Sequence, residues 1–211
     1  MALAGRPILL TPPAVELSLS LVKSYLRVDY SDDDTLIALM IQSARERCEH
    51  YCNRKFINQV WQVYYDKIDK RFEIPFPPIQ AVNNFKLIYL NEVIALVENS
   101  DYYILNKGGD AFVILTATTY NLPPGFSLGD DLWRFNVRID VTCGFDTQYT
   151  QDSMHNGVPS GIQEAILKTV YSAYFSPKGN AMGVSRQGIL DVKELPEDAK
   201  RLLQPYKNVT I

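Results

Sequence analysis

Cys48 and Cys52 lie one helical turn apart, a spacing that would suit half of a tetrahedral metal site. Such a site needs about four ligands, and the nearest further candidate, His50, projects from a different face of the same helix. Two small apolar residues packed on one helix face are the better reading. His50 and His155 are the only histidines, and neither stands in a nucleophile motif. His155 falls in a polar loop and is expected in solvent. Asp32, Asp33 and Asp34 could gather a divalent cation, but the glycine and distal glutamate of a calcium loop are missing. Ahead of a helix they fit better as caps and as partners of the positive end of its macrodipole. A hydrolase working through Asp32 and Asp34 is a rival reading: alanine there would abolish an activity, whereas a capping role costs roughly 1 kcal/mol. Lys107-Gly108-Gly109-Asp110 lacks the spacing and following Lys-Ser/Thr of a phosphate loop, and its paired glycines suit a tight hairpin turn. Trp61 and Trp133, with many tyrosines, would suit a carbohydrate-stacking face, though aromatic residues in strands are more often core or cross-strand pairs. Asn208-Val209-Thr210 matches the glycosylation triplet, with no secretory signal to support its use. No catalytic residue, metal ligand or cofactor is assigned from these groups.

The elements around them have a distinctive layout. Pro7, Pro12 and Pro13 predict an extended arm. Ser18 or Ser20 can cap a short helix with Leu19, Val22 and Leu26 on one face. A longer helix follows, with Ser31 or Asp32 as cap and Ile37, Met40, Ile41, Ala44, Cys48 and Tyr51 as its apolar stripe. Arg45, Glu46 and Glu49 are assigned to its wet side, and it is expected to end near Asn53. From Gln59 the period changes to two. Strands are predicted around 59–66, 72–75, 85–90, 93–96, 102–105 and 111–115, with Asn91-Glu92 as a hairpin turn. The strongest strand signal is the alternation of Trp133, Phe135, Val137, Ile139 and Val141 with polar residues. After a polar loop from Asp146 to Asn156, Ile162, Ala165, Ile166, Thr169, Val170 and Ala173 mark a buried helical stripe, widened by Leu167, Tyr171 and Tyr174. Pro177 and Gly179 end it. Residues 176–194 are a long glycine-bearing loop, a short helix covers 196–203, and Pro205 leaves Lys207–Ile211 as a free tail.

The fold class that follows is α+β. The N- and C-terminal helices cannot bury their stripes alone and pack together as a helical unit, from which an inserted antiparallel β-sandwich- or barrel-like lobe projects. The expected division is an arm of 1–17, a helical domain of 18–56 plus 159–206, a β-rich insert of 57–146 and a tail of 207–211. An apolar content of 46% and a charged content of 21% are ordinary for a globular protein. A net charge of −3 argues against a protein that binds mainly by neutralising phosphates. No apolar run approaches the roughly 20 residues of a membrane span. The opening residues lack a secretory pattern, and the three cysteines are a poor disulfide framework, so synthesis in a cytoplasm is expected.

The ordered series of short motifs resembles the tailed-phage head–tail connector (adaptor, head-completion) proteins. It comprises Tyr25-Leu-Arg-Val28 with Asp32-Asp-Asp34, the Glu- and Arg-bearing helix to Cys52-Asn-Arg54, Trp61, Ile74-Pro-Phe-Pro-Pro-Ile79 and Tyr102-Tyr-Ile-Leu105. Val141-Thr-Cys-Gly-Phe145, Val158-Pro159 leading into Ile162–Leu167, and Leu202-Leu-Gln-Pro-Tyr206 complete it, so that it spans about residues 18–206. Cys143-Gly144-Phe145 stands where Ala-Gly-Tyr is more usual, and Tyr174–Pro177 lacks the common Arg-Glu. The resemblance implies a structural virion protein, not an enzyme: a homo-oligomeric ring, commonly of twelve copies, at the head–tail interface beneath the portal protein. Such a ring extends the DNA channel, through which DNA passes without sequence-specific binding, and seats the stopper or tail-completion protein, with no membrane involved. Lys207, Asn208, Val209, Thr210 and Ile211 of the tail, with Ser185, Arg186 and Gln187 of the 176–194 loop, are then the expected partner contacts. The alternative is a ligand- or carbohydrate-binding β module with a helical brace.

Overall fold

The computed structural model of this 211-residue chain describes residues 5–14, 16–89, 92–107, 110–116, 136–147, 157–175 and 195–208. The chain divides into two compact units. Met1–Ala14 and Lys55–Thr147 make a β-rich unit, and Val15–Arg54 and Gln148–Ile211 make a helical one. The fold is α+β, with helices from both ends of the sequence sharing one unit.

The helical unit holds α1 (Leu19–Leu26), α2 (Asp34–Cys52), α3 (Ser160–Phe175) and α4 (Glu197–Leu203), followed by a 3₁₀ turn at Gln204–Tyr206. α3 packs against the other three. Its Ile162, Ala165, Ile166 and Val170 meet the α2 stripe of Ile37, Ile41, Ala44 and Cys48 in a core where every one of these side chains is buried. Each large aliphatic group so buried contributes about 1.5–3 kcal/mol. Met40 and Tyr51 lie half-buried at the margin. Asn53 ends α2 as expected, with φ 50°, and the N–H of Arg54 reaches back to the Glu49 carbonyl at 3.1 Å. Arg27 closes α1 in the same left-handed conformation.

The expected side-chain caps do not form. Ser18 is the N-cap residue of α1, but its hydroxyl meets that of Ser20 at 2.8 Å. Asp33, rather than Ser31 or Asp32, is the N-cap of α2, and its carboxylate accepts from Tyr30 and Tyr174 hydroxyls instead of from backbone. Ser31 contributes only its carbonyl, to the N–H of Asp34. At Asp33 a partner from α3, Tyr174, outcompetes the local backbone.

The β-rich unit holds β1 (Ile8–Thr11), β2 (Gln59–Tyr65), β3 (Arg71–Ile74), β4 (Ile79–Tyr89), β5 (Glu92–Ala95), β6 (Tyr102–Lys107), β7 (Asp110–Leu115) and β8 (Asn136–Cys143). Two antiparallel sheets form, ordered β1-β2-β8-β4-β5 and β3-β7-β6. β8 is central in the larger sheet, which is why its apolar phase is so regular: Val137, Ile139 and Val141 are fully buried, with Ile139 between Val63 and Phe85. The smaller sheet shares that core. Phe72 of β3 packs 5.0 Å from Tyr65 and 5.5 Å from Phe85, and Phe85 packs 5.1 Å from Tyr102 of β6 (ring centroids). The lobe is sandwich-like, and no closed barrel forms among the described residues. Within the arm of 1–17, Ile8–Thr11 pairs with β2 as an edge strand. Asn91, Gly108, Gly109, Trp133, Phe135, His155, the 176–194 loop and most of the 146–156 loop lie outside the described residues.

Candidate interaction surfaces

Most of the groups with chemical potential are turned inward or engaged. Cys48 Sγ lies 3.7 Å from Thr169 Oγ1, and Cys52 Sγ lies 3.9 Å from the Leu203 carbonyl. Burial pushes the Cys48 thiol up to about 11 and the Cys52 and Cys143 thiols up to about 12, so the thiolate needed for ligation or attack is disfavoured. His50 is exposed in the last turn of α2. No group of three or more His, Cys, Asp or Glu side chains able to hold a metal occurs among the described residues. Asp34 pairs with Lys23 Nζ at 2.5 Å, and Asp33 Oδ2 accepts from Tyr174 at 2.6 Å. Trp61 packs on Phe76 at 4.7 Å, with Lys55 Nζ about 5 Å from both rings, at 4.9 and 5.0 Å.

The wet side assigned to α2 needs correction. Glu46 is exposed, but the side chains of Arg45 and Glu49 are only 4% and 1% exposed. Arg45 Nε donates to both oxygens of Glu16 at 2.9 Å, and Nη1 donates to Glu49 at 3.1 Å. This fork ties the segment entering α1 to the middle of α2. Burial pushes the Glu16 carboxyl up, although Arg45 opposes the shift.

A second polar cluster lies on the face of the larger sheet opposite its core. Asp140 of β8 stands in register between Gln62 of β2 and Asn84 of β4. Its carboxylate accepts from Gln62 at 2.8 Å, Asn84 at 3.1 Å and Arg138 at 3.1 and 3.0 Å. Asp140 is 2% exposed, yet it is held ionised. Burial pushes its carboxyl up, but the Arg138 and Gln62 hydrogen bonds, the Arg138 charge and the Asn84 hydrogen bond outweigh it and hold the carboxyl below the usual range.

Apolar surface is exposed in several places, Leu36 and Leu39 of α2 and Val93 and Val97 among them, and two groups stand out. Leu21 and Tyr25 of α1 and Tyr171 and Phe175 of α3 are each 40–52% exposed. Tyr25 meets Tyr171 edge-on at 6.1 Å, Tyr171 packs on Phe175 at 4.6 Å, and Phe175 meets Tyr174 at 5.1 Å. Tyr30 and Tyr174 hydroxyls join at 2.8 Å, extending the patch toward the start of α2. The sequence reading that adds Tyr171 to the buried stripe is thus corrected, while Leu167 and Tyr174 are half-buried. The i, i+4 pair Tyr171/Phe175 was the signal for this face, since both project from one side of α3. The second group is β1, where Ile8, Leu9 and Leu10 are each 42–49% exposed.

Of the expected partner contacts, Val209, Thr210, Ile211, Ser185, Arg186 and Gln187 lie outside the described residues. Lys207 and Asn208 do not start a free tail. The Asn208 N–H donates to the Cys52 carbonyl at 2.8 Å, and Lys207 Nζ sits 4.7 Å from the Tyr51 ring centroid. Both are therefore fixed on the C-terminal end of α2. Among the described residues no helix is long and apolar enough to cross a membrane.

Comparison with known proteins adds a family match over part of the chain, and a fold. Residues 16–105 match the family described as phage gp6-like head-tail connector protein. No curated protein matches the sequence. Solved structures similar over nearly the whole chain include the following three. A chain from the neck of an empty gene transfer agent (GTA) particle computed with C6 symmetry is 12% identical, with TM-score 0.70, covering 98% of this chain and 97% of that one. A chain from the virion of a native GTA particle is 13% identical, with TM-score 0.70 and coverage of 97% and 96%. A chain from the neck of a native GTA particle computed with C12 symmetry is 12% identical, with TM-score 0.67 and coverage of 98% and 97%. At these identities the likeness is one of fold.

Proposed function

We propose, from the match of residues 16–105 to the phage gp6-like head-tail connector family, that this chain is one copy of a ring beneath the portal of a tailed, phage-like particle. The ring, of twelve copies, extends the DNA channel at the head–tail interface and seats the stopper or tail-completion protein. The work is structural and involves no turnover. The connector family match carries this reading. The GTA neck chains support it, because their fold runs the length of this chain and their particles were treated with six- and twelve-fold symmetry.

The tail Lys207–Ile211 and the residues Ser185, Arg186 and Gln187 are the proposed contacts to the portal or to a neighbouring copy. The tail leaves from a fixed point, since Asn208 is tied to the end of α2. Deleting 207–211 should prevent attachment to portal-containing particles, and unchanged attachment would remove the tail's role. Cryo-electron microscopy of particles containing the chain tests the main reading. The expected density is a ring of this fold directly below the portal. Density for the chain elsewhere in the particle, or its absence from the particle, overturns it.

A further inference from the structure

We propose that strand β1 of one copy docks on the patch formed by Leu21, Tyr25, Tyr171 and Phe175 of the next, making the head-to-tail contact of the ring. The inference rests on the ring reading above and names the surfaces that close it. β1 holds to β2 through its backbone ladder, yet Ile8, Leu9 and Leu10 all remain more than two-fifths exposed. It presents apolar area to water and adds none of its side chains to the core. The α1–α3 patch presents aromatic area in the same way. Contiguous exposed apolar faces of this kind mark interaction sites.

Charge selects the pairing. Arg6, exposed just ahead of β1, makes no ion pair among the described residues. Asp29 and Asp32, exposed and flanking in sequence the Tyr30 whose hydroxyl joins that of Tyr174, also make none. An apolar strand led by a cation thus fits an aromatic face flanked by two such anions against one exposed cation, Arg27. The two surfaces are unlike, so their union is heterologous: each copy gives one and receives the other. Contacts of that type repeat in one direction and close into a ring when the rotation allows. A two-fold dimer would use one patch twice and leave the other in water.

Cysteine cross-linking in assembled particles tests the contact. Leu9→Cys and Phe175→Cys are introduced together, against a background in which Cys48, Cys52 and Cys143 are buried. A bis-maleimide should then give a ladder in steps of 24.0 kDa, and neither single variant should give one. Particles that hold the ring but yield only monomer, or a monomer bridged within itself, overturn the docking and leave the ring reading standing. Particles without a ring of this chain overturn the ring reading itself. Charge exchange decides the matter if the cysteine variants fail to assemble. Arg6→Glu alone, and Asp29→Arg with Asp32→Arg, should each lower incorporation at least about ten-fold, with all three together restoring it to within about two-fold. Loss without restoration overturns the proposal.

Discussion

Removing the Arg45 guanidinium would leave the carboxylates of Glu16, Glu46 and Glu49 around the vacated volume, with the Glu49 side chain only 1% exposed. Breaking a buried pair costs about 3–5 kcal/mol, whereas replacing both members by apolar groups of similar size is often neutral. Arg45→Ala should therefore lower unfolding free energy by about that amount, and Arg45→Met with Glu49→Leu should recover most of it. Urea denaturation of the set checks this, and a double variant no better than Arg45→Ala would contradict it. Gly144 is the second sensitive position. Its φ is +145°, and an added Cβ would come within 2.6 Å of backbone atoms of Ile57 and Asn58, which cannot yield like a flexible side chain. Gly144→Ala should cost about 3 kcal/mol in the same assay. A loss below about 1 kcal/mol would mean that the 57–58 segment moves aside easily. The glycine of Cys143-Gly144-Phe145 thus has a packing reason independent of any family likeness.

At the scale of elements, β8 was readable because a central strand presents its whole apolar phase to one core. The α2 stripe was readable for the matching helical reason, and Asn53 as a left-handed terminator was readable from its type. Arg45 and Glu49 were not. An i, i+4 ion pair looks like a solvated helix face, and its burial depends on Glu16, which lies 29 positions earlier in the chain. The caps failed for a related reason, since Asp33 is claimed by a tyrosine from α3, 141 positions away. Asp140 sits in the polar phase of its strand, and only register with Gln62 and Asn84 shows why it is buried. That register has a pH consequence. The folded carboxyl lies below its ordinary value, so its stabilisation is complete above the unfolded value, about pH 3.9, and is lost as pH falls through the folded value. Asp140→Asn lacks this titration and turns an amide donor toward other donors. It should cost about 2 kcal/mol at pH 7, with the gap to the parent narrowing below about pH 4. Urea midpoints at pH 7 and pH 3 measure the gap, and one that widens on acidification would contradict the assignment.

At the scale of the molecule, the layout of the sequence carried furthest. Two helical ends and a strand-rich middle become two units, with the helical one drawn from both sides of the insert. The candidate surfaces were less legible, because exposure of Tyr171 or Leu9 depends on what fails to cover it, and no local pattern states that. Charge is the global property that bears on the proposed channel. The 21 Lys and Arg are outnumbered by 24 Asp and Glu. Several of the cations are already committed: Lys23 to Asp34, Arg45 to Glu16 and Glu49, Arg138 to Asp140 and Lys200 to Glu197. Affinity for duplex DNA comes chiefly from cations that release condensed counterions. A wall on which anions outnumber cations lets DNA slide, while one dense in Lys and Arg would hold it. The chain should therefore bind a short labelled duplex no more tightly than about 10 µM at about 150 mM salt, within the weak, non-specific range. Fluorescence anisotropy across a salt series measures this. A dissociation constant below about 1 µM with a steep salt slope would show a cationic face strong enough to grip the duplex, and the proposed conduit would then need a different account of how DNA leaves the head.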